Sequence, residues 1–329
     1  MAYKNDNLKK VHIQKIKDCF YKESIWDKNC LSDQTGISKT TCTTILKELE
    51  ETEFIFQVQD RESTGGRPRK RYELNKDSRH SCLVLLTVDD CQKIEIQVRD
   101  LYGQILHREI CKFSKFSMKD LSERLNKVFE RDKKIDVIAL SVPGVVDARE
   151  KIVSCDIKEL EHKNIKLLLE TLYQVDVVIE NDVNLAVVGY HKGEESTAFL
   201  YQPSVMYSGC GIMLQGQLYR GSTLFAGELG YLKSCVGKEP ETKKDAIEVI
   251  LEQISALICV LNPERICICS SFSILKEDIC LELAQWILPE HIPEIEVIDE
   301  MEPFIFQGLM EATIDVQREH VTIKEVRKV

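Results

Sequence analysis

The chain has 329 residues, 43% hydrophobic and 30% charged, with a net charge of −10, a balance that supports two or three buried cores and excludes a disordered or collagen-like chain. Its longest apolar runs, such as residues 254–261, are far shorter than a membrane span, and the first residues lead into a charged stretch without an apolar signal-type segment, which points to the cytoplasm and away from membranes. The thirteen cysteines are odd in number, scattered through apolar stretches and without a Cys-x-x-Cys, so they read as reduced, mostly buried thiols and no metal site is expected.

Charge is unevenly divided. Residues 1–80 hold 16 Lys and Arg against 13 Asp and Glu, a net of +3, which leaves −13 for the remainder. A slightly basic head on an acidic body suggests a nucleic-acid module, residues 1–78, joined to a larger domain, residues 79–329. In the head, Leu8, Val11, Ile13, Ile16 and Phe20 recur at helical spacing and predict a helix over 7–21. A short helix near Leu31 and Ser32 follows, then a tight turn at Gly36 that needs positive φ. Ile37 plugs the core and Ser38 suits the N-cap of a second helix, which buries Cys42, Ile45, Leu46 and Leu49. The other face of that helix carries Lys39, Thr40, Thr41, Thr43 and Thr44. With Ser38 these short polar side chains suit a DNA major groove. A plain helical hairpin with a solvated threonine face explains this segment equally well.

Strands are expected over 54–59 and 71–74. The loop between them carries Gly65, Gly66, Arg67, Pro68, Arg69 and Lys70, a basic tip suited to the minor groove. A solvated basic loop is the alternative. Beyond residue 81 the pattern repeats: strands 83–88, 94–99 and 104–111, a helix 118–131 and a strand 137–141. Then come strands 198–201, 211–214 and 217–219, a helix 243–261, a strand 265–269, a helix 274–288, a strand 295–298 and a helix 304–318. Three strands followed by alternating helices and strands, given twice, predict a duplicated α/β body with a ligand cleft between its halves.

A helix-turn-helix followed by Ser63-Thr64-Gly65-Gly66-Arg67-Pro68 and Tyr72-Glu73-Leu74-Asn75 resembles the repressor branch of the ROK family (repressors, open reading frames, kinases). The body agrees over nearly all of residues 81–320. Ser141-Val142-Pro143-Gly144-Val145-Val146-Asp147 is similar to the family's Pro-Gly loop, and Glu180-Asn181-Asp182-Val183-Asn184 to its Glu-Asn-Asp signature. Gly209-Cys210-Gly211-Ile212 and Ala226-Gly227-Glu228-Leu229-Gly230 are similar to its glycine-rich run. The resemblance implies a winged helix-turn-helix on a duplicated actin-like ATPase or sugar-kinase (ribonuclease H-like) body. Its lobes would span about 79–190 with the C-terminal helix, and about 191–315.

For the site, the resemblance implies that Asp182 matches the catalytic base, that Asn181 and Glu228 hold sugar hydroxyls, and that Gly144 lies beside the sugar. Without it, each polar residue reads as a cap on a strand or helix end. The phosphate machinery departs from the family. Its Asp-x-Gly-Gly-Thr-Lys turn is here Asp89-Asp90-Cys91-Gln92-Lys93, its later Gly-Gly is Ser270-Ser271, and Cys210 and Met213 interrupt the glycine element. Tyr231 stands where the family has a histidine, and Cys235 alone remains of its zinc loop. The expectation is therefore a regulator with a vestigial base at Asp182 and no cofactor. Its expected partners are operator DNA, a sugar effector and a second copy or more of itself, as a homodimer or homotetramer. A working sugar kinase with an extra head, or a ligand-free DNA-binding scaffold, are the alternatives.

Overall fold

The computed structural model describes residues 2–58, 70–88, 91–204, 208–237 and 239–324. The chain begins with α1 (Ala2–Lys22), β1 (Ile25–Asp27), α2 (Lys28–Thr35), α3 (Lys39–Glu51), β2 (Ile55–Val58) and β3 (Arg71–Leu74). Asp27 caps α2, accepting from the N–H groups of Asn29 and Cys30 at 2.7 and 3.0 Å. The helix stops at Gly36, whose φ of 71° lies in the left-handed region and lets its N–H reach the Ser32 carbonyl. Ser38 then caps α3 through the Thr41 N–H at 3.2 Å. The three strands pair antiparallel in the order β1-β3-β2. The result is a winged-helix arrangement around Ile16, Phe20, Leu31, Ile37, Ile45, Leu49 and Tyr72.

One expectation for α1 needs correction. Leu8 and Val11 are 54% and 51% exposed, so the buried stripe runs through Ile16 and Phe20 instead. From α1, Ile16, Cys19 and Phe20 enter the head's core, with Ile13 and Tyr21 packed against it. The hairpin tip with Gly66, Arg67 and Arg69 lies outside the described residues.

The body opens with β4 (His80–Val88), β5 (Gln92–Asp100), β6 (Ile105–Phe113), α4 (Met118–Arg131) and β7 (Ile135–Val142). A small hairpin of β8 (Gly144–Val146) and β9 (Ile152–Cys155) follows, then α5 (Ile165–Tyr173), β10 (Asp176–Asn181) and α6 (Asp182–Tyr190). The second half contains β11 (Thr197–Gln202), β12 (Gly209–Leu214), β13 (Gln217–Leu218), α7 (Lys243–Val260), β14 (Arg265–Ser270), α8 (Lys276–Leu283) and β15 (Glu294–Ile298), and α9 (Glu302–Lys324) ends the chain. The two sheets, β6-β5-β4-β7-β10 and β13-β12-β11-β14-β15, follow one path. In each, two antiparallel strands lie on one side of the first strand and two parallel strands on the other. The duplication read from the sequence is therefore real.

Strand alternation builds the layers. On β4, Leu83 and Leu85 face a central core shared with α6, α9 and the second sheet. Cys82, Val84 and Leu86 face outward to α4 and α5. On the far side, Ala198 and Leu200 of β11 meet α7 and α8. The helix expected over 274–288 runs only from Lys276 to Leu283 and then passes into turns, because it buries just Ile279 and Leu283. Its intended continuation, Trp286 and Leu288, is exposed.

Candidate functional site

Two surfaces carry chemistry. On the head, Lys39, Thr40 and Thr44 project from α3 into solvent. Ser38 and Thr41 lie at 2.9 Å and form the helix cap. The hydroxyls of Thr43 and Thr44 donate back to the carbonyls of Lys39 and Thr40 at 2.8 and 3.3 Å. Their methyl groups and oxygen lone pairs remain for a partner, while the most outward polar groups are Lys39 and Thr40. Lys47, exposed one turn further on, shares this face and was missed by sequence reasoning. It sits beyond the threonine run that drew attention. Lys70 is exposed at the foot of the hairpin.

The second surface is a cleft of about 400 Å³ between the two sheets. Pro143, Gly144 and Val145 of the β8 turn, the Asn181-Asp182 turn and Thr87 enter from the first half. Gly209, Glu228, Tyr231, Ser270 and Ser271 enter from the second. The resemblance's candidate residues Gly144, Asn181, Asp182 and Glu228 thus meet in one cavity. Ser154, Asp156, Asp299, Glu300 and Glu302 also line it and were not singled out. Asp156 reaches the cleft only because the β8–β9 hairpin folds back, a contact that no local spacing announces.

Each candidate has a distinct local cause. Gly144 is required by packing, since a Cβ there would lie 2.2 Å from the Ser154 carbonyl oxygen. Asn181 caps α6, accepting from the Asn184 N–H at 2.9 Å and donating its amide to the Gly144 carbonyl at 2.9 Å. Its oxygen is engaged within the chain, which leaves one amide hydrogen for a ligand. Asp182, 7% exposed, opens α6 and accepts from the Val183 N–H at 2.8 Å. Burial is the main cause that pushes its carboxyl up to about 7. The nearby charges of Asp156 and Glu228 add to the rise, and the Val183 N–H opposes it. Burial also raises Glu228, and raises Asp156 against the opposing pull of Lys158. Tyr231 is half-exposed, with its ring 5.2 Å from that of Phe225 at the cleft.

The sequence profile of the ROK family matches residues 91–277, more than half of the chain. The chain belongs to the ROK family. It is 25% identical over 236 residues to the xylose repressor of Bacillus spizizenii, covering 68% of this chain and 61% of that relative. This chain therefore spans less than two thirds of the relative's length. It is also 34% identical over 102 residues to the beta-glucoside kinase of Listeria monocytogenes, covering 30% of this chain and 35% of that one. A solved ROK family transcriptional regulator, described as a homologue of the E. coli MLC protein, superposes with a TM-score of 0.67 at 15% identity, over 93% of this chain and 98% of its own. That likeness is one of fold.

Among the described residues, the far half of this cleft offers few groups to a phosphate. Phosphates are held by free backbone N–H groups and cations. Here the Ser271 N–H donates to the Gln202 carbonyl at 3.0 Å, and the Phe272 N–H donates to the Ser270 hydroxyl at 3.1 Å. Asp299, Glu300 and Glu302 stand beside them. Among the described lining residues there is no Lys, Arg or His, and Lys93 pairs with Glu302 of the rim at 3.4 Å. Asp89 and Asp90 lie outside the described residues. Among the described residues, this part of the cleft does not fit the phosphates of ATP. Nor do Tyr231 and the buried Cys235 supply a zinc ligand set.

Proposed function

We propose that this ROK protein is a sugar-responsive transcriptional repressor whose body no longer phosphorylates. The observation that carries the reading is the joining of an α3 face of short polar and basic side chains to a cleft that keeps its carboxylates and has no Lys, Arg or His among its described lining residues. The likeness to xylose repressors supports it. In this reading Ser38, Lys39, Thr40, Thr41, Thr43 and Thr44 meet the major groove, and Gly66, Arg67, Arg69 and Lys70 meet the minor groove. Asn181, Asp182, Glu228 and the Gly144 turn meet the sugar, with Asp182 a vestigial base. Two copies present two heads to a two-fold operator, as a dimer or a dimer of dimers.

An effector changes DNA affinity only by binding two arrangements of the molecule unequally. The head is tied to the body through a route that starts at the cleft. Met301 and Glu302 line the cleft at the start of α9. Near its far end, Arg318 lies 3.8 Å from Asp18 and 5.1 Å from the Tyr21 ring centroid on α1. Closure of the lobes around a sugar would act on α1 through this helix.

The test is selection of binding fragments from genomic DNA, followed by anisotropy titration with and without D-xylose, D-glucose and their phosphates. We expect one site class to be bound and released by an unphosphorylated sugar. Binding of no fragment above non-specific DNA would sink the repressor reading. The Listeria kinase similarity favours a second reading, ATP-dependent phosphorylation. A coupled ADP-release assay across hexoses and pentoses decides it, and sugar-dependent ADP release would overturn the inactive assignment.

A further inference from the structure

We propose that Glu180 and Arg220 are positioning residues that join the two lobes across the cleft and hold the Asn181-Asp182 turn in its ligand-binding geometry. This rests on the sugar-effector reading of that site. Glu180 is the penultimate residue of β10 in the first lobe, and its side chain is 13% exposed. One carboxylate oxygen accepts from the Asn181 N–H at 2.8 Å and from the Asn184 amide at 3.1 Å. The other accepts from Arg220, through Nε at 3.1 Å and through Nη2. Arg220 follows β13 in the second lobe, on the loop that carries Glu228. Its carbonyl accepts from the Ala226 N–H at 3.2 Å, which closes that loop on itself.

A single carboxylate therefore bonds, on one side, the turn that aims Asn181 and Asp182 and, on the other, the loop that aims Glu228. Asn181 passes the restraint on to the β8 turn through its 2.9 Å bond to the Gly144 carbonyl. An exposed ion pair would be worth little. Here the carboxylate is only 13% exposed, though Arg220 is 45% exposed, and two guanidinium N–H groups converge on one carboxylate oxygen, which orients the pair. Arg220, Asn184 and Glu228 also line a small adjoining cavity of about 30 Å³ between the same lobes. The pair thus sits at the seam that must open for a ligand to enter.

The experiment reads the lobe separation directly, on the full chain and without ligand. Spin labels attached through non-canonical amino acids replace Lys119 on α4 and Lys244 on α7, whose side chains are 83% and 85% exposed. In the labelled wild type we expect one narrow distance distribution. Arg220→Gln should shift it to longer distances and broaden it. Arg220→Lys, which keeps the charge and loses the fork, should fall between. At about 1 M NaCl the wild-type distribution should stay largely in place, since a partly buried contact pair is screened much less than an exposed one. The intermediate distribution of Arg220→Lys, at an unchanged urea midpoint, distinguishes a positioning pair from a residue needed only for folding. Superimposable distributions for wild type and Arg220→Gln would overturn the proposal. Any sugar that binds the wild type should bind Arg220→Gln about tenfold more weakly, a loss of about 1.4 kcal/mol. Absence of sugar binding would sink the effector reading while leaving the distance result decisive for the pair.

Discussion

Asp182 shows how one side chain couples burial to pH. Its carboxyl is pushed up to about 7 in the folded chain from an ordinary value of 3.8, chiefly by burial. The folded state therefore holds this proton more tightly than the unfolded state. Stability from the protonated group is present below about pH 4 and is lost as pH rises through 7, by on the order of 4 kcal/mol. Asp182→Asn keeps an acceptor for the Val183 N–H and removes the titration. In urea unfolding it should match the wild type near pH 4 and exceed it at pH 8. Equal stability of the two proteins at pH 8 would show that the carboxyl is not desolvated. A second residue-scale prediction concerns Lys47. If α3 enters the major groove, Lys47→Ala should weaken binding to all DNA sequences alike and reduce the slope of log affinity against log salt by about 1. An unchanged slope would remove Lys47 from the interface.

At this scale the sequence was only partly legible. The identities of Asn181, Asp182 and Glu228 could be carried over from a motif. That the Asn181 amide donates to the Gly144 carbonyl, or that Asp156 joins the cluster, depends on a contact 37 residues apart in sequence in the first case and on a hairpin in the second. Neither leaves a local pattern.

At the scale of elements, α6 and α9 cross closely enough to exclude side chains. A Cβ on Gly308 would lie 2.1 Å from the Leu185 carbonyl oxygen, and one on Gly189 would lie 2.0 Å from that of Phe304. Both obstacles are backbone, so neither can rotate away. Gly308→Ala should cost about 3 kcal/mol by forcing the helices apart, as measured by chemical denaturation. A change within 0.5 kcal/mol, the ordinary scatter of surface substitutions, would mean that the crossing is slack. The boundaries of most body elements were legible because apolar alternation and helical spacing are local. The helix expected over 274–288 failed because periodicity cannot report whether a neighbour exists to cover its later face. The same reason exposed Leu8 and Val11 on α1.

At the scale of the whole molecule, the head is not a loosely tethered bead. Leu101, on the β5–β6 turn of the body, is 5% exposed and packs into the head's own core. Tyr102 donates to the Leu74 carbonyl at 3.1 Å, and Lys76 reaches Asp100 at 3.4 Å and Gln104 at 2.9 Å. Leu101→Ala should cost about 2–4 kcal/mol, the usual range for a buried leucine. It should also split a single calorimetric transition into two, as the head melts separately. A single transition in the variant would mean that the polar contacts and α9 suffice to couple the parts. An effector signal could then bypass this turn.

The amino-acid sequence by itself determined most of the strands and helices of the two halves, the duplication of the body, the helix-turn-helix and the family motifs, because caps, turns and apolar periods are written within a few residues of each other, whereas β8, β9, α5 and α6 went unread. The tertiary structure alone decided which of those residues meet. It brought Asp156 to Asp182 and Glu228, closed the Ser271 and Phe272 N–H groups to a phosphate, linked Glu180 to Arg220 across the lobes and seated Leu101 in the head. Each of these depends on desolvation, charge pairing or steric fit between segments far apart in the chain. Such terms have no value until the backbone has brought the partners within a few ångströms.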